Sequence, residues 1–227
     1  ERLLSQHGNE FEVQRQAAIL FLSLPDPGRR HQGKQLLEAA LAQRPRDVSL
    51  RLKKAWLLIE ENNTVSFAKA SVLLNQLVKE FPRLQEAWHA LGRLSLMCDK
   101  PAQAMDYALR GLYYNPQSKP LLLLKARSES EHSPIAAVST LNMLRQEHPH
   151  DEEVIRMLCE NYRQAGRYAA ALRLLDEVLS QDGLTMSVAL RRERMAVFYE
   201  AGDVEKAHGV YMDLMRQTDD PDMLLAW

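Results

Sequence analysis

Apolar residues along this chain recur with helical spacing and nowhere alternate as a half-buried strand would. In "EEVIRMLCENYRQAGRYAAALRLLDEVLSQDG", Val154, Ile155, Leu158, Cys159 and Tyr162 fall on one helical face. Gly166 permits a turn, and Tyr168, Ala171, Leu172, Leu175 and Val178 form a second stripe that Gly183 closes. The unit is a pair of short helices, and it repeats. A small residue returns in similar company at Gly33, Ala70, Ala104, Ala137, Ala171 and Ala207, at intervals of 37, 34, 33, 34 and 36 residues. A helix stop follows about 12 residues after each, at Pro45, Pro82, Pro116, Pro149 and Gly183, then in "TDDPD" around Pro221. Two independent markers share one period, which predicts a repeat architecture. First helices are expected near 11–24, 48–61, 85–98, 119–130, 152–165 and 186–200, and their partners near 30–43, 65–80, 101–114, 133–147, 168–181 and 204–217. "DPDMLLAW" reads as the opening of one more helix.

Two helices joined by a short turn pack antiparallel, and where they cross closely only a small side chain fits. A single helical hairpin cannot bury both of its faces, so neighbours stack and share a core. The stretch from Ala87 to Pro116 carries Trp88, Leu91, Gly92, Ala104, Gly111 and Pro116, and the 152–185 unit carries Leu158, Tyr162, Gly166, Tyr168, Ala171 and Leu175. These residues at this spacing resemble the tetratricopeptide repeat. The resemblance implies an all-α fold, a right-handed superhelical array of antiparallel helix pairs (an α-solenoid). About six repeats would form one domain over 1–227, at approximately 11–47, 48–84, 85–118, 119–151, 152–185 and 186–221, with 222–227 beginning another helix. Departures from the pattern are Gly33 in place of the usual alanine and length changes at "ENNTVS", at "SEHS" and after Gly183.

By resemblance, the first helix of each repeat lines a concave groove that holds a segment of another protein. Projecting the groove positions onto this chain selects Trp56, His89, Arg93, Met97, Arg127, Arg156, Arg163, Arg192 and Tyr199, interspersed with Glu60, Glu86, Glu131, Glu160 and Glu200. The arginines suit an acidic partner, because a guanidinium pairs two carboxylate oxygens at once. The alternative is a mixed, salt-bridged surface of little energetic weight. Trp88 is read as packing between helices, whereas Trp56, beside the "ENNTVS" insertion, is divided evenly between packing and partner contact. Chaperone-binding members of the family clamp a terminal carboxylate with lysines and asparagines. Here Trp56, Arg93, Arg127 and Glu160 stand where the asparagines would be, so no such clamp is expected.

Composition narrows the classes further. The 227 residues carry a net charge of −1, which argues against a dedicated nucleic-acid binder. No apolar run approaches the roughly 18 residues of a membrane span. No phosphate loop, nucleophile elbow or paired-histidine zinc motif is present, so no enzyme activity, cofactor or metal is expected. In "HPHDEE", His148 and His150 precede carboxylates that suit a helix start better than a metal. Cys98 and Cys159 are expected to be core thiols. The leading function is a non-enzymatic interaction scaffold for a protein or peptide. Alternatives are an assembly module of a larger complex, by analogy with bacterial secretion and exopolysaccharide export, and a subunit for RNA processing. The start at Glu1 and the "MLLAW" end suggest a piece of a longer array, with self-association through that end. Cytoplasm and bacterial periplasm both remain open.

Overall fold

The computed structural model describes residues 10–180 and 187–217. Among them are twelve helices and no strand. The chain divides into two compact units that meet at Pro116 and Gln117. The first holds α1 (Phe11–Ser23), α2 (Pro27–Gln43), α3 (Val48–Glu60), α4 (Thr64–Glu80), α5 (Gln85–Met97) and α6 (Pro101–Tyr114). The second holds α7 (Lys119–Ser130), α8 (Pro134–Glu147), α9 (Glu152–Gln164), α10 (Tyr168–Leu179), α11 (Val188–Glu200) and α12 (Val204–Gln217). These ranges lie within about one helical turn of those expected from the apolar spacing. Gly183, Pro221, the further helix at 222–227 and the C-terminal end invoked for self-association lie outside the described residues.

Helix starts follow local chemistry. The carboxylates of Asp26, Asp47 and Asp151, the Asn63 amide oxygen and the hydroxyls of Ser133 and Ser187 each accept a backbone N–H from the first turn they cap. Pro27, Pro101 and Pro134 occupy the first helical position, where no N–H is needed. Helix stops are just as regular. The residue before each periodic proline, Arg44, Phe81, Asn115 and His148, has φ of −132°, −132°, −137° and −130°. The proline ring excludes the helical conformation from its predecessor, so four second helices end in the same backbone geometry. Four of the six turns within repeats use a left-handed residue: Asn62 (φ 49°), Asp99 (55°), Gly166 (67°) and Gly202 (83°). After the last three, an N–H reaches back five residues, as from Arg167 to the Tyr162 carbonyl at 2.7 Å.

The periodic small residues sit at the helix crossings. Ala70, Ala104, Ala137, Ala171 and Ala207 are fully buried. A methyl group on Gly33 would stand 2.9 Å from Leu22 Cγ and 3.1 Å from the Leu22 nitrogen. Positions four and seven residues further on complete one buried stripe per second helix, such as Leu74 and Leu77 in α4 or Leu141 and Leu144 in α8. First helices such as α3 and α9 are buried more widely, because they pack on their own partners and also on neighbouring repeats: α3 lies against α5, and α9 against both α8 and α11. In α9, Val154, Ile155, Met157, Leu158, Cys159 and Asn161 are all buried.

Candidate protein-binding surface

The packing of α3 on α5 brings side chains of consecutive repeats together. The Trp56 ring of α3 lies 5.9 Å from the His89 ring of α5, tilted by 49°. One turn along α5, the Arg93 guanidinium stands 5.1 Å above the Trp56 ring. Trp56 and His89 are half-buried and Arg93 is exposed. Met97 ends the same helix with 43% of its surface open. Among the described residues Arg93 makes no ion pair, and the indole face attracts its charge by about 0.5–1 kcal/mol, as at other exposed sites.

In the second unit two of the projected arginines are already engaged. Arg127 of α7 pairs with Glu153 of α9 at 2.6 Å. Arg163 of α9 bridges Glu193 and Glu200 of α11 at 2.8 and 2.9 Å. Burial pushes the Glu193 carboxyl above its ordinary range, against the pull of Arg163 and Arg156, and Glu160 adds to the rise. Burial works against the Arg163 charge, but the bond to Glu200 and the two negative charges outweigh it and raise its pKa. Arg156, Arg192 and Tyr199 are exposed on the same two helices. This face is a weave of both signs, with inter-repeat glutamates taking part of the charge that a ligand would otherwise meet. Glu153 and Glu193 were not among the projected groove positions. Their partners lie 26 and 30 residues away, and only the stacking of first helices reveals the pairing.

Residues assigned to the scaffold occupy structural places. Trp88 is buried and its indole N–H donates to the Pro82 carbonyl at 2.8 Å. Leu91, Gly92 and Ala104 are buried, Tyr162 packs against the second unit's core, and Pro116 is exposed behind Asn115. In "HPHDEE", Asp151 caps α9 and pairs with Lys119, which with the helix N–H groups outweighs burial and holds its carboxyl below the ordinary value. The two cysteines part company. Cys159 is buried and its thiol is pushed up to about 12 by desolvation, as suits an inert core residue. Cys98 is exposed, contrary to expectation, because it caps α5 where the chain turns through Asp99 and leaves the core.

The fold recurs in solved structures. A tetratricopeptide repeat protein from Parabacteroides merdae is 18% identical, with a TM-score of 0.71 over 96% of this chain and 84% of its own. PilW, a widely conserved type IV pilus biogenesis factor, is 16% identical, with a TM-score of 0.75 over 95% of this chain and 98% of its own. The chain has the tetratricopeptide-repeat fold. YrrB, described as a TPR protein with an unusual peptide-binding site, is similar over 83% of this chain and 95% of its own, at 15% identity and a TM-score of 0.57. No family profile matches the sequence, and no curated protein matches it either. In a tetratricopeptide repeat, tolerance of sequence change is expected wherever the small crossing residues and the helix stops survive. Among the described residues no helix is long and apolar enough to cross a membrane.

Proposed function

We propose that this chain is a non-enzymatic interaction scaffold whose first-helix face holds a segment of another protein. The observation that carries the reading is the Trp56–His89–Arg93 cluster across α3 and α5. A half-buried tryptophan stacked under an arginine is a preorganised anchor of the kind that dominates interface energetics. Arg93 keeps its N–H edge available for a carboxylate, so the partner segment is acidic where it meets this cluster. Arg127 and Arg163 contribute less to that preference than their number suggests, because Glu153, Glu193 and Glu200 already neutralise them. Met97, at the end of α5, extends the contact surface.

Affinity capture with the wild-type chain, compared with Trp56→Ala and with charge reversal at Arg93, Arg127 and Arg156, tests this. Partners retained by wild type are expected to drop at least tenfold with Trp56→Ala, while circular dichroism reports an intact fold. Unchanged capture of every partner by both variants sinks the assignment.

A further inference from the structure

A second surface, built from other residues, lies between the second helices α4 and α6. A groove of about 640 Å³ has Val78 and Lys79 of α4 on one side and Tyr107, Arg110 and Tyr113 of α6 on the other. Trp88 forms part of its lining. It shares no residue with the Trp56 cluster.

Its chemistry is specific. Tyr113 leaves 81% of its surface exposed, Leu109 50% and Tyr114 41%, an unusual density of large apolar side chains in water for one helix end. The rings of Tyr113 and Tyr114 meet edge to face at 5.0 Å and 89°, and together they form one aromatic wall of the groove. The hydroxyls of Tyr107, Tyr113 and Tyr114 hold no hydrogen bond among the described residues, so all three are ready to donate. The Trp88 N–H is spent on Pro82 and the Asn75 amide N–H on Ser71, so of these two only the Asn75 amide oxygen, an acceptor, is left to offer. Lys79 and Arg110 line the groove and no carboxylate does. The Asp106 carboxylate that pairs with Arg110 lies outside the lining, exposed one turn back on α6.

We infer that this groove is a docking site for an acidic protein segment that inserts an aromatic or leucine side chain against Tyr113 and Tyr114. Lys79 and the three tyrosine hydroxyls meet its carboxylates, Arg110 adds the N–H groups that Asp106 leaves open, and the rings take up its apolar side chain. Tyrosine and arginine are the residues that most often carry binding energy at interfaces, and here both stand preformed. The site is independent of the Trp56 face, so the chain would hold acidic segments on two sides.

The test is fluorescence anisotropy with a labelled peptide whose central Phe-Leu pair is flanked by Glu and Asp, beside a control with Lys at every acidic position. The acidic peptide is expected to bind saturably, and the lysine control at least tenfold more weakly. Tyr113→Ala and Arg110→Ala, at exposed positions that leave the melting curve unchanged, are each expected to weaken binding at least fivefold. Trp56→Ala is expected to leave it unaltered, which separates this site from the first-helix face. Absence of saturable binding, equal binding of the lysine control, or a fivefold loss in Trp56→Ala alone overturns the proposal. So does self-association by sedimentation that Tyr113→Ala abolishes, since the occupant is then a second copy of the chain.

Discussion

Glu193 shows how a single side chain can work against the stability of the surface it helps to build. It sits between α9 and α11 with Arg163, yet burial dominates and lifts its carboxyl above the ordinary value of 4.5. A carboxyl raised in the folded state contributes stability that is fully present below the unfolded value and is lost as pH rises through the folded one. Glu193→Gln removes that loss. Its melting temperature, measured against wild type, is therefore expected to gain progressively from pH 4.5 towards neutrality. A difference that stays constant or shrinks over that range would show that the pairing with Arg163 outweighs desolvation. The exposed Arg127–Glu153 pair is the contrast: with both side chains 46% open, it adds little to stability at any pH. Neither pairing is visible in the sequence, because both partners lie on helices separated by a full repeat.

At the scale of the element, the crossing of α1 and α2 leaves too little room for a methyl group, and glycine occupies it. Alanine fills the equivalent place in every later pair, but Gly33 has Leu22 Cγ within 2.9 Å, the Leu22 nitrogen within 3.1 Å and Phe21 Cβ within 3.1 Å of where a methyl would stand. One of those atoms is backbone, so the helices must part to admit a side chain. Gly33→Ala is expected to cost roughly 1–3 kcal/mol in chemical denaturation despite restoring the residue usual for the repeat. An unchanged or higher midpoint would mean that α1 slides on α2 without penalty. The helix stops were legible for a local reason, since each proline constrains the residue directly before it. The left-handed turns were legible only where glycine occupies them. Asn62 and Asp99 adopt the same conformation under side chains that tolerate it, and nothing in their neighbours announces it.

At the scale of the whole molecule, each repeat is stabilised chiefly by its neighbours in sequence. Leu50 of α3 belongs to one core with Phe11, Ala18 and Leu22 of α1 and with Leu37 and Ala40 of α2. Leu50→Ala is expected to cost roughly 2–5 kcal/mol locally. Hydrogen exchange should then quicken most in α1 to α4 and progressively less along the chain. Uniform loss of protection in all described helices would instead mark a single cooperative block. The same nearest-neighbour logic makes the two proposed binding faces, one on first helices and one between second helices, compatible with one scaffold.

The chain's period, its helix pairs and its stops are local properties, set by apolar spacing, small residues and prolines within reach of their own neighbours. Those follow from the sequence alone. Contacts between helices a repeat apart depend on how the pairs stack, and only the tertiary structure decides them. It sets Arg93 over Trp56, commits Arg163 to two glutamates, turns Cys98 out of the core and gathers three tyrosines beside two cations. Spacing along one helix determines which face a residue occupies, but the helix packed against that face determines what it meets.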